Sequence, residues 1–173
     1  MTTKAAQRDQ PAVADAGVEL AAALTELESS SIADFRLLRG PVAEVHRLAE
    51  ERGDEPAARR AQLLLADVLL REGRIGAGGR IAHEVRVWAE KHDCGYVLAR
   101  AHRVLSVFYR LVGDLSDALA HAVQCLAHLA ADVPPAIRAR HVLTLAVALD
   151  DSGSMAEGEL RYHTSARWPI GMP

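Results

Sequence analysis

With 173 residues, half of them apolar and a quarter charged, the chain has the make-up of one globular, soluble domain with a sizeable core, not of a disordered segment. Its net charge of −3 gives no electrostatic case for nucleic acid as a partner, and no apolar run approaches the ~18 residues that span a bilayer. Aromatic residues make up only 4%, with alanine and leucine at the apolar positions, a balance that favours closely approaching helices over stacked sheets.

In chain order, the N-terminal stretch "MTTKAAQRDQPAVADAG" is polar and lacks the apolar core of a secretory signal. Residues 1–12 read as a disordered tail. From there a period of 40 residues organises the chain into units of about 14–53, 54–93, 94–133 and 134–173. The first unit is the weakest copy. Its closing "RLAEERGD" aligns with "VWAEKHDC" one period later, but Ala33 stands where the other units carry a turn glycine.

The second, third and fourth units each open with an apolar segment of helical length: "EPAARRAQLLLADVLLREG", "GYVLARAHRVLSVFYRLVG" and "PAIRARHVLTLAVALDDSG". Each ends on a glycine of the series Gly73, Gly113 and Gly153, where a left-handed residue can stop a helix. Leu65, Leu105 and Leu145 recur at the same period, with the small series Ala66, Ser106 and Ala146 and the large series Leu69, Tyr109 and Leu149. A second helix follows each turn, predicted from about Ile75 to His92, Leu115 to Ala131 and Met155 to Trp168. Asp114, Ser116 and Ser154 are suited to capping those second helices. Gly78, Ala118 and Gly158 form a further small series, expected where the two helices of a hairpin cross closely. Each unit therefore reads as a helical hairpin, and no hairpin can bury its apolar face alone, so neighbours must stack.

The glycine cluster "REGRIGAGGR", Arg71 to Arg80, invites a phosphate-loop reading. It lacks a preceding strand and the spacing such loops need. Gly73 is the hairpin turn and Gly78 the crossing residue, which leaves Gly76 and Gly79 without a role at this level.

At these residues the chain resembles the tetratricopeptide repeat (TPR) family. The best copy is "LSVFYRLVGDLSDALAHAVQCL", where Leu105, Ser106, Tyr109, Gly113, Asp114, Ala118 and Ala122 sit at the family spacing. The resemblance covers 54–173 and, more faintly, 14–53. It departs from the pattern in its first large residue (Gln62, His102 and Val142) and in its period of 40, which is similar to longer-helix bacterial variants. The resemblance implies an all-α, right-handed α-solenoid of about four hairpins that binds a protein or peptide segment along a concave groove made by the first helices. It also implies a regulatory or sensory role. Similar repeats in actinobacterial signalling proteins stand in front of an output such as a diguanylate cyclase (GGDEF) domain or a transcriptional regulator, and neither motif occurs in this chain.

Within that frame, Arg60, Arg100 and Arg140 recur at the period near the start of each first helix, and Arg103 and Arg110 add charge to the same face. Arg71 stands near the second unit's groove. Guanidinium groups bind carboxylates and phosphates through paired hydrogen bonds, so this ladder points to an acidic protein or peptide segment. The competing reading pairs the arginines within the groove, with Asp67 and Asp150 as partners. If the ladder binds, Arg100 and Arg103 are expected to tolerate alanine without unfolding the domain. The carboxylate-clamp residues of some TPR proteins do not carry over, because the chain has no asparagine.

His121, Cys125 and His128 share one helical face at a spacing that can hold a metal, but an isolated cysteine is more simply a small apolar residue. The only other cysteine, Cys94, forms no CxxC pair with it, so reduced thiols and a cytoplasmic location are expected. No catalytic constellation is present, so the reading is not an enzyme, with no cofactor, no resident metal, no nucleic acid and no membrane partner. Finally, the last unit stops at "SARWPIGMP" with no polar cap, which would leave Leu160, Trp168 and Ile170 uncovered. Either further chain or a homodimer through the C-terminal repeat would cover that face. A dimerisation module with an empty groove is accordingly the alternative function.

Overall fold

The computed structural model describes residues 10–29 and 35–153, and every regular element among them is helical. Helix α1 covers Gln10–Ser29, and a single 3-10 turn, Phe35–Leu38, runs straight into α2, Arg39–Glu51. There follow α3 (Glu55–Arg71), α4 (Ile75–Lys91), α5 (Gly95–Val112), α6 (Leu115–Ala127) and α7 (Pro135–Asp151). Helix α1 begins inside the stretch expected to be a tail. The position of Ala33, the cap at Ser154, the crossing residue Gly158 and the helix expected from Met155 to Trp168 lie outside the described residues.

The boundaries follow local chemistry. Asp54 Oδ1 accepts from the Ala57 amide at 3.0 Å at the start of α3, and Asp114 Oδ1 accepts from the Asp117 amide at 3.1 Å at the start of α6. Pro56 and Pro135 occupy first-turn positions of α3 and α7, where no amide hydrogen is needed. The glycines that close the segments are left-handed: Gly73, Gly113 and Gly153 have φ of 79°, 85° and 82°. Helix α6 stops four residues before the expected Ala131. The Pro134–Pro135 pair that follows bars Val133 and Pro134 from helical geometry, and Pro134 itself is extended at ψ 138°.

Each helix from α1 to α7 packs on the helices next to it in the chain. Each second helix packs on its own partner and on the next first helix, and the first helices pack on one another, α1 on α3, α3 on α5 and α5 on α7. Apolar residues fill the seams. Leu24, Val42, Val45, Ala61 and Leu64 join α1, α2 and α3. Leu63, Leu70, Val85, Val97, Val104 and Leu105 join α3, α4 and α5, and Ala122, Leu145 and Leu149 join α6 to α7. Helix α1 also reaches α7: the Arg140 guanidinium donates to the Glu28 backbone carbonyl at 2.8 Å, across 112 residues of sequence. Two first helices three units apart therefore meet on the inner side of the fold.

The small residue Gly78 behaves as the sequence requires. A Cβ there would stand 2.8 Å from the Ala66 carbonyl oxygen on α3, so the two helices of this hairpin cross at backbone contact. Gly79 acquires a role that the repeat did not supply, since a Cβ would strike the Phe108 ring of α5 at 2.4 Å. Gly76 has nothing within 4 Å. Gly76→Ala is therefore expected to stabilise the protein by up to about 1 kcal/mol through helix propensity. Gly78→Ala is expected to destabilise it by about 1 to 3 kcal/mol through overpacking. Thermal melts of the two variants should move in opposite directions, and a shared direction would remove the close crossing from the account.

Candidate functional site

The ladder arginines come together on the first helices around two carboxylates, Asp67, which the sequence offers as a partner, and Glu28, which it does not. Glu28, at the end of α1, is fully buried. Arg60 grips it with two hydrogen bonds, Nε to Oε1 at 2.9 Å and Nη2 to Oε2 at 2.8 Å, and the Tyr96 hydroxyl donates to Oε2 at 2.7 Å. Arg100 Nε lies 3.2 Å from Oε1, an ion-pair distance, yet off the line of a hydrogen bond. Burial pushes the Glu28 carboxyl up, and the Arg100 and Arg60 guanidiniums with the Tyr96 hydroxyl outweigh it, so the group is held below the usual carboxylate range. Arg100 itself is 0% exposed. Arg60 and Arg100 are thus structural ions, and the expectation that Arg100 would tolerate alanine does not survive: its loss would leave Glu28 buried with one cation fewer.

One turn along α5, Arg103 is 3% exposed and meets the buried Asp67 of α3, Nη2 to Oδ2 at 3.1 Å. Arg71 approaches the same carboxylate oxygen at 3.9 Å. Asp67 is raised by burial but held below its ordinary range by Arg103 and Arg71. Arg110 lies 3.4 Å from Asp151, which takes the place expected for Asp150. Asp67 was legible as a partner; Glu28 was not.

Beyond these pairs a cavity of about 430 Å³ opens between α3, α5 and α7. Arg71, Arg103, Arg110 and Arg140 line it, with the hydroxyls of Ser106 and Thr144 and an apolar wall that includes the half-exposed Leu143. No carboxylate lines it among the described residues. Its volume falls in the range of small-ligand pockets. Arg103 Nη2 is held by Asp67, while its Nε is buried and finds no acceptor among the described residues, although a charged guanidinium in that position normally finds one for each donor. Burial first, and then the neighbouring Arg103 charge, bring the Arg140 pKa down to about 10, with Asp67 opposing. Arg71 and Arg110 keep 47% and 38% of their side-chain surface in solvent, so charge continues from the buried floor to an open mouth. The arrangement can take an anion. It offers no nucleophile and base in contact.

The histidine and cysteine candidates are placed differently. Cys125 is buried and its thiol is pushed up to about 12 by burial, so it acts as a small core residue. His121 turns to α5, where its Nδ1 lies 2.8 Å from His102 Nδ1, and His128 stacks on His102 with ring centres 5.7 Å apart. Tyr109 and His83 extend this stack. Among the described residues no group of three or more histidine, cysteine or carboxylate side chains is disposed to hold a metal ion. Leu160, Trp168 and Ile170 lie outside the described residues. No described helix is long and apolar enough to cross a membrane.

Searches of the family models, the curated proteins and the solved structures found no match to this chain.

Proposed function

We propose that this chain is a TPR-like binding module of a regulatory protein, and that its arginine-lined inner cavity receives an acidic protein segment. In this reading the stacked hairpins form a solenoid and the first helices face its groove. The observation that supports it is Arg103. Its guanidinium is buried at a cavity wall, with Nη2 on Asp67 at 3.1 Å and Nε without a hydrogen-bond acceptor, in a pocket lined by four arginines and, among the described residues, by no carboxylate. A buried donor without an acceptor costs about 1 to 3 kcal/mol, more when charged, and a bound anion would remove that cost. Of the five-residue ladder Arg103, Arg110 and Arg140 line this cavity and Arg71 joins them, while Arg60 and Arg100 are engaged by Glu28.

Arg71 and Arg110 are the residues to test, since they are partly exposed and their removal leaves the Glu28 cluster and the Arg103–Asp67 pair in place. The double replacement Arg71→Ala, Arg110→Ala is expected to weaken binding of aspartate- and glutamate-rich peptides about tenfold or more, equivalent to about 1.4 kcal/mol, with little change in melting temperature. A fluorescence titration against acidic, neutral and basic peptides of equal length checks this. Equal affinity for all three, or an unchanged affinity in the variant, would sink the reading.

A further inference from the structure

The cavity has a charged end and an apolar middle. Arg110 and Asp151 meet at 3.4 Å and so set the last turns of α5 and α7 side by side, and Arg71, in the last turn of α3, lines the same cavity. Three guanidiniums, those of Arg71, Arg103 and Arg110, meet two carboxylates, those of Asp67 and Asp151, which leaves one positive charge in excess. Arg140 stands outside this count, because its guanidinium donates to the Glu28 carbonyl. Arg71 and Arg110 approach their carboxylates only at 3.9 and 3.4 Å and keep part of their surface in solvent. Each guanidinium has five N–H donors, so both can still take up a ligand oxygen.

The middle of the cavity is apolar. Val107 precedes Arg110 by one turn of α5, and Val147 and Leu143 precede Asp151 by one and two turns of α7. Leu143 is 46% exposed, and Val107 and Val147 are half-buried. At the rise of an α-helix, Val147 stands about 6 Å and Leu143 about 12 Å back from the charged end. A run of acidic residues fits only that end. Its first carboxylate takes up the excess charge, and the next would lie against Val147 and Leu143, losing water without gaining a partner.

We propose that the segment bound in this cavity is amphipathic, with one side-chain carboxylate for Arg71 and Arg110 and one large aliphatic side chain on the same face for the wall of Val107, Leu143 and Val147. In an extended chain, side chains two residues apart point the same way and stand about 7 Å apart, which matches the step from the charged end to Val147. The motif is therefore an acidic and an aliphatic residue separated by one position. The inference rests on the reading of this cavity as the binding site for an acidic segment and adds what the site selects besides charge.

The test uses four peptides of equal length with Glu-Ser-Leu, Glu-Ser-Glu, Glu-Ser-Ser or Gln-Ser-Leu at the centre of a glycine–serine sequence. Each is also made in the reverse order, since either chain direction places the two side chains alike. Binding to the intact chain is measured by fluorescence polarisation at pH 7.5. The Glu-Ser-Leu peptide is expected to bind about fivefold or more tighter than Glu-Ser-Glu and Glu-Ser-Ser, the gain that partial burial of one leucine gives. Leu143→Gln, which keeps a good helix former at a half-exposed position, is expected to remove most of that gain with little change in melting temperature. Equal or tighter binding of Glu-Ser-Glu, or a gain that survives Leu143→Gln, overturns the inference and leaves the acidic-segment reading intact. Equal binding of Gln-Ser-Leu and Glu-Ser-Leu, or failure of all four peptides, overturns both.

Discussion

Replacing Glu28 with glutamine is expected to destabilise the protein by about 3 to 5 kcal/mol, the cost of breaking a buried ion pair by removing one partner. For a chain of this size the melting temperature should fall by on the order of 10 °C. The reason is the number of groups that depend on this one carboxylate. Arg60 spends two hydrogen bonds on it, Tyr96 one, and the fully buried Arg100 has its recorded ion pair there. Glutamine keeps the shape but supplies no negative charge, so Arg100 becomes an isolated cation with no access to water. The same carboxylate sits on the residue whose backbone carbonyl receives Arg140, so the meeting of α1 with α7 should loosen as well. Adding Arg100→Met to Glu28→Gln should recover part of the loss, since it removes the stranded charge. Urea titrations of the wild type, the single variant and the double variant measure both effects. A single variant within about 1 kcal/mol of wild type would show that the cluster does not hold the inner layer together.

Acidification from pH 7.5 to pH 4.5 should cost stability mainly through buried histidines, most of it above the pH at which carboxylates titrate. His102 is pushed down to about 4, first by burial and then by His121 and His128. His141 is pushed down to about 3 by burial and the nearby Arg103 charge, against the hydrogen bond it gives to the Ile137 carbonyl at 2.7 Å. His83 and His121 are also lowered, burial being the main cause in each. A histidine whose folded pKa lies below its unfolded value of about 6.5 imposes no cost above that value. As pH falls below it, the unfolded chain takes up a proton that the folded chain refuses, and stability declines until the folded pKa is reached. By pH 4.5, His102 and His141 should each cost about 2 to 3 kcal/mol. Glu28 and Asp67, whose folded pKa values are lowered, add stability that is present above their unfolded values and lost as pH falls through and below those values, so their window overlaps the histidine window only near its acid end. The two windows can be separated. His141→Leu should keep near-native stability at pH 7.5, because it removes a buried nitrogen that has no hydrogen-bond partner, and should flatten the decline between pH 6.5 and 4.5. A decline as steep as in the wild type would assign the acid sensitivity elsewhere.

The sequence by itself determined the all-helical character of the chain and the turns from α3 to α7, because those depend on near neighbours. Gly73, Gly113 and Gly153 mark left-handed stops, Asp114 caps α6, and the small residue at Gly78 lets α3 and α4 touch, all within one hairpin. A period of 40 carried these rules from unit to unit, and it also placed Arg60, Arg100 and Arg140 on one inner face. Only the tertiary structure decided what those arginines do. Glu28 lies in the unit with the weakest repeat signal, 32 residues from Arg60, and no periodic partner announces it. Its backbone carbonyl also receives Arg140 across 112 residues, a contact between α1 and α7 that nearest-neighbour stacking does not predict. The tertiary structure thereby gives arginines of similar sequence setting different surroundings. Arg60, Arg100 and Arg103 are largely buried beside Glu28 and Asp67, lose water and must be neutralised from within. Arg71 and Arg110 keep solvent contact at the cavity between α3, α5 and α7, where their charge can meet a ligand.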